Sequence, residues 1–256
     1  MAVNHGLYLG MDANPTQGIE DESATAKYAL GTFFDDEDGR RFRYALNGAG
    51  ALVAGDLVSS AATGGSTTTL QTVAIVGQAT AAGLVNIPVA SLTTSQTAEL
   101  YAEGWAAFED TSATGTYIRR IKSNTALVHT TWADTPMEIV LYEPLPIALA
   151  TDDTIALMVN PYSKIIQSAA GTLTGYGLGG VCAPITATYY CWVQTRGWFG
   201  CHIKDGALVA GMAVQVGAST VGTPTSKTEL LFGQNFGYSG LAWADEGAGI
   251  LYLQCE

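Results

Sequence analysis

Gly206-Ala207-Leu208-Val209-Ala210-Gly211 repeats, letter for letter, the six residues Gly50-Ala51-Leu52-Val53-Ala54-Gly55. Each copy follows an aromatic, strand-like run: Phe42-Arg43-Tyr44-Ala45-Leu46 before the first, Trp198-Phe199-Gly200-Cys201-His202-Ile203 before the second. Each is followed by a short apolar run, Asp56-Leu57-Val58 or Met212-Ala213-Val214-Gln215-Val216. Glycine accepts positive φ without steric cost, so Gly50, Gly55, Gly206 and Gly211 mark sharp corners between strands. A corner used near both ends of a chain predicts one β-module closed by those ends, with the middle looped out.

The rest of the chain reads in the same way. Arg41 to Leu46 alternates charged and apolar residues at period two, the mark of a half-buried strand. Val73–Val76, Leu84–Ile87, Tyr101–Phe108, Tyr117–Lys122, Met137–Tyr142 and Thr154–Val159 are short β-type runs separated by turn residues. Ala187–Thr195 and Gly249–Cys255 read as strands near the C-terminus. Such spacing predicts an all-β protein of antiparallel sandwich or barrel modules. The single helix candidate, Ser95 to Tyr101, is short. The expected division is an extended N-terminal arm over 1–30, a β-module over 31–62 and 178–256, and a second β-rich module over 66–175. Ser59 to Thr69, with Gly64-Gly65 inside it, reads as the crossing between modules. Gly171–Gly180 and Gly217–Lys227 read as glycine-rich and polar loops.

Composition narrows the function. Charged residues make up 13% of the 256, against about 25% in an average domain. A surface of small neutral residues suits close contact with other subunits. The net charge is −12, which opposes binding to nucleic acid or to an anionic membrane. No apolar run reaches the length of a spanning helix, and the N-terminus carries no secretory signal. Cys182, Cys191, Cys201 and Cys255 form no Cys-x-x-Cys pair and read as reduced, buried thiols of a protein made in a cytoplasm.

Candidate sites follow from side-chain chemistry. Asp35, Asp36, Glu37 and Asp38 form an acidic turn that lacks the twelve-residue calcium-loop spacing. The turn reads instead as a solvated acidic turn, one able to pair with Arg40, Arg41 or Arg43 of a neighbour. Asp35, Asp36, Asp38, Arg41, Arg43 and Trp198 are therefore the candidate interaction residues. Cys182, Cys191, Cys201 and His202 fit no standard zinc spacing. The three histidines, His5, His129 and His202, stand in no catalytic motif. No catalytic residue, cofactor or metal is expected. Five tryptophans and twelve tyrosines suit core and interface packing, or a face that stacks on sugar rings.

Several motifs resemble virion structural proteins of tailed bacteriophages. They are Tyr101-x-Glu103-Gly104, Tyr117 to Ser123, Leu141-Tyr142-Glu143-Pro144-Leu145, Asn160-Pro161-Tyr162, Tyr190-x-Trp192-x-Gln194-Thr195-x-Gly197 and the repeated corner. The resemblance covers about Tyr101 to the C-terminus. It implies a non-enzymatic capsid decoration, or cement, protein that binds the major capsid protein on the outer capsid surface as a homotrimer. The alternatives are a carbohydrate-binding or host-attachment module of the virion and, behind it, a hydrolase on a β scaffold.

Overall fold

The computed structural model describes residues 15–61, 71–76, 80–90, 95–110, 115–128, 137–151, 153–170, 175–204, 208–217, 220–226, 235–242 and 247–256. Gly206, His5, His129 and the Gly64-Gly65 crossing lie outside them. The described residues contain no helix, and every strand pairing is antiparallel; the fold is all-β. Ser95 to Tyr101, the helix candidate, forms turns around a bridge from Gln96 to Leu127.

The chain divides into two units, Met1–Ala62 with Pro161–Glu256, and Thr63–Asn160. The second is a six-stranded closed barrel. Its strands are β4 (Gln71–Val76), β5 (Asn86–Ala90), β6 (Trp105–Asp110), β7 (Gly115–Asn124), β8 (Met137–Leu141) and β9 (Thr154–Met158), joined in the order β4-β5-β8-β7-β6-β9. Met137, Ile139 and Leu141 alternate with outward residues along β8, as Ile155 and Leu157 do along β9. These side chains fill the barrel with Ile87, Val89, Phe108, Ile121 and Tyr101. A closed ring of strands leaves no open edge.

The first unit is a ten-stranded sheet. It contains β1 (Phe33–Asp35), β2 (Arg41–Leu46), β3 (Leu57–Ser60), β10 (Ile165–Gln167), β11 (Gly177–Val181), β12 (Tyr190–Ile203), β13 (Ala213–Val216), β14 (Pro224–Ser226), β15 (Gly237–Ser239) and β16 (Gly247–Gln254). Two boundaries differ from the sequence reading. Ser59 and Ser60, read as crossing, are buried in β3. Residues 161–175, read as part of the second module, fall in the first unit, where β10 pairs with β3. The loops expected at 171–180 and 217–227 contain β11 and β14, whose glycines, serine and proline carry little β signal.

The sheet is a structural duplication. The first repeat is β2, β3, β10, β11 and the first half of β12. The second is the rest of β12 followed by β13, β14, β15 and β16. Their registers coincide. Phe42 opposes Gln194 and Ala45 opposes Cys191; at matching places Trp198 opposes Tyr252 and Cys201 opposes Gly249. Val58 opposes Gln167 and Ser60 opposes Ile165, as Val214 opposes Ser226 and Val216 opposes Pro224. Gly180 meets both Leu57 and Gln194, as Tyr238 meets both Ala213 and Tyr252. The barrel sits between β3 and β10, where the second repeat has only the connection from β13 to β14.

Residues 52–56 and 208–212 form the turn into the inner strand of each repeat. Leu52 and Leu208 are buried, Val53 and Val209 are exposed, and Gly55 and Gly211 adopt φ of +85° and +74°. Asp56 N–H donates to Val53 O and Met212 N–H to Val209 O, both at 3.1 Å. This is a four-residue turn that needs positive φ at its third position, hence glycine. Gly50, expected to be a second corner, has no positive φ. A second glycine pair is also equivalent. Gly179 and Gly237, at φ +145° and +146°, run so close to the next strand that a Cβ would lie 1.9 Å from Gln194 O or Tyr252 O.

Candidate functional site: two faces of a duplicated sheet

Each repeat has an inner and an outer face. The inner faces are ordinary cores: Val58, Val181, Cys191 and Val193 with Leu52 in the first, Val214, Phe199, Leu251 and Phe236 with Leu208 in the second. The outer faces differ.

The outer face of the first repeat is covered by the chain's own N-terminal segment. Phe42, Tyr44 and Trp192 are fully buried beneath Ile19, Tyr28, Leu30 and Phe34. Tyr28 meets Tyr44 edge-on at 5.2 Å, and Phe34 meets Trp192 edge-on at 4.7 Å. Gln17 holds the polar edges. Trp192 Nε1–H donates to Gln17 O (2.9 Å), Tyr44 O–H donates to Gln17 Oε1 (2.9 Å), and Gln17 Nε2 donates to Tyr190 O (3.1 Å). Ser23 and Tyr190 exchange backbone hydrogen bonds. Residues 15–30, expected to be part of an extended arm, lie on this face of their own chain.

Among the described residues, no segment covers the outer face of the second repeat in this way. Trp198 stands at the position of Phe42 and is 57% exposed; Ile250 stands at that of Trp192 and is 46% exposed. Tyr238 and Leu241 are 44% and 52% exposed. Trp198 leans over Gly240 and meets Tyr252 edge-on at 5.3 Å. Beside this ridge is an open groove of about 450 Å³ walled by Val53, Gly55, Gly200, His202 and Ala248. Gly200 and Ala248 hold the places of Tyr44 and Tyr190, whose rings stack at 5.8 Å in the first repeat. Where the first repeat has two phenol rings, the second has open space.

The expected ion-pairing residues are placed differently from Trp198. Arg41 grips Asp35 with two hydrogen bonds, Nε to Oδ1 at 2.7 Å and Nη2 to Oδ2 at 2.8 Å. These bonds hold the Asp35 carboxyl below its usual range. Asp36 accepts from Arg40 Nε at 2.7 Å and from the backbone N–H of Asp38 and Arg40. Arg43 pairs with Glu256 and donates to Gly31 O at 2.8 Å. The arginines predicted to belong to a neighbour are thus those of the same chain, brought round by the β1–β2 hairpin. Asp38 remains outward, its carboxylate 3.8 Å from Arg40.

Cys182, Cys191, Cys201 and Cys255 are free thiols. Burial pushes Cys182 up to about 11 and the other three up to about 12, so all four stay protonated and poorly nucleophilic near neutrality. His202 faces outward beside buried Cys201. Among the described residues no three His, Cys, Asp or Glu side chains are grouped to hold a metal ion. The repeated corner is the one trace of the duplication in the sequence, and Trp198 its one trace of the open face. Gly200, Ala248, Tyr238 and Ile250 were legible only through the pairing that aligns them with Tyr44, Tyr190, Gly180 and Trp192. No family model, curated protein or solved structure matches the chain.

Proposed function

We propose that the chain is a structural protein of a tailed-phage virion, one that decorates the outer surface of the assembled capsid and reinforces it as a symmetric oligomer. The observation that carries this reading is the open outer face of the second repeat. An exposed aromatic and aliphatic cluster on a sheet marks a surface made for macromolecular contact. The motif resemblance to virion proteins supplies the setting, with the major capsid protein as partner. Many weak contacts repeated over a shell sum to high avidity, which is how a decoration protein strengthens a shell without chemistry.

The test is co-sedimentation of the purified chain with shells assembled from the major capsid protein of its own phage, beside unassembled coat subunits. The chain is expected to pellet with shells, to leave free subunits in solution, and to raise the temperature at which shells rupture. A chain that stays in the supernatant would contradict the reading. The same aromatic cluster also suits stacking on sugar rings, the basis of the host-attachment alternative; saturable retention on a glycan array without shell binding would favour it.

A further inference from the structure

The open face carries a ridge and a groove side by side on one strand. Trp198 and Gly200 are two residues apart on β12, about 6.6 Å along the strand, and both point outward. We propose that this face is a two-fold interface between copies of the chain, in which Trp198 of each copy enters the groove at Gly200 and Ala248 of the other. The inference rests on the symmetric-oligomer half of the reading above and assigns the open face to self-association; light scattering on the isolated chain tests it apart from shell binding, which co-sedimentation reads.

Three observations support a second copy as the occupant. First, the duplication shows what the groove lacks. The equivalent space in the first repeat is filled by the rings of Tyr44 and Tyr190, and Tyr28 of the covering segment packs on Tyr44. A ring delivered from outside restores that aromatic layer, and Trp198 is the most exposed ring among the described residues of the unit. Second, knob and hole lie on the same patch. An interface in which one patch serves both partners closes on itself as a two-fold pair. A three-fold ring needs a second, different patch. The other large exposed hydrophobics described in this unit are Tyr176, Val53, Val209 and Val221, of which Val53 already belongs to the groove wall. Third, the patch is of a functional size. Trp198, Tyr238, Leu241 and Ile250 together expose on the order of 400 Å², the size of the largest apolar patch on a monomer, which is often a contact site. A standard interface takes about 800 Å² from each partner, and the groove walls with the rim of Arg196, His202 and Gln254 extend the patch toward that. The two-fold pair replaces the trimer that the motif resemblance implies.

Light scattering on the full chain tests this, with two variants. Trp198→Ser removes the knob. Gly200→Tyr fills the hole with the residue that the first repeat carries at the same place. A Cβ at Gly200 meets nothing within 4 Å, so this variant is expected to fold, as far-ultraviolet circular dichroism checks. The wild type is expected to show twice the mass of the 26.7 kDa chain at micromolar concentration. Each variant is expected to weaken the dimer at least 100-fold and to appear as a monomer. A monomeric wild type, a three-chain assembly, or a dimer that survives both folded variants would overturn the proposal. So would an association abolished by removing residues 1–14 but indifferent to both substitutions.

Discussion

The two repeats of the sheet unit share strand order, register and corner turn, yet one buries its outer face and the other shows it to solvent. Phe42, Tyr44 and Trp192 need a lid, and Gln17 to Phe34 supply one. Trp198, Gly200 and Ile250 occupy the same lattice of positions and have no lid among the described residues. A duplicated scaffold fixes where side chains stand, while a short added segment decides whether a face is core or contact surface. The same sheet thus serves stability at one end and association at the other.

Removing the lid should have the largest effect. Deleting residues 15–30 exposes three fully buried aromatic side chains, each worth about 1.5–3 kcal/mol when buried, so a loss of about 4 kcal/mol or more is expected in chemical denaturation. A deletion that leaves the midpoint unchanged would erase the distinction between the faces. Truncation at one pair of equivalent positions sharpens it. Trp192→Ala is expected to cost about 3–5 kcal/mol, and Ile250→Ala less than about 1 kcal/mol in the monomer. Equal losses would mean the faces are equally buried.

The corner turns offer a smaller contrast. Gly211→Ala meets nothing within 4 Å and bears only the strain of positive φ, about 1 kcal/mol. Gly55→Ala bears that strain and also sets its Cβ 3.1 Å from the His202 nitrogen, so about 2 kcal/mol is expected. Thermal melts of the two variants should rank in that order.

These contrasts also show what was legible in the sequence. The six shared residues marked two alike corners, because a turn with an obligatory glycine constrains its own letters, but they read as one module closed by its ends and not as a duplication. Strand positions are constrained by what covers them. Two faces with different covers therefore diverged to Tyr44 against Gly200 and Trp192 against Ile250, and the repeat vanished outside the corner. Period-two alternation revealed β2, and apolar runs ended by turn residues revealed β8 and β9, whereas β11 is five buried residues of which three are glycine, and reads as loop. The covering segment has no period of its own, since its register is set by Tyr44, Tyr190 and Trp192, far away in the chain. The acidic turn was recognised as an ion-pairing element but given the wrong partner, because the Asp35–Arg41 contact depends on hairpin register.

That contact gives the smallest expected effect. Arg41 depresses the Asp35 carboxyl in the folded state, so its contribution is present above the unfolded value of about 3.9 and is lost as pH falls through the lower folded one. The pair is solvent-exposed, and Asp35→Asn should cost less than about 1 kcal/mol at pH 7. The stability difference should shrink toward zero at about pH 2. A gap that widens on acidification would contradict the assignment.

The central claim is that equivalent positions of one duplicated sheet are closed in the first repeat and open in the second. Hydroxyl-radical footprinting read by mass spectrometry tests it within a single chain, because each outer face carries one oxidisable tryptophan of the same strand, Trp192 on the first and Trp198 on the second, 1% and 57% exposed. At concentrations too low for copies to associate, Trp198 is expected to oxidise at least ten times faster than Trp192. Equal rates, or a protected Trp198, would contradict the account.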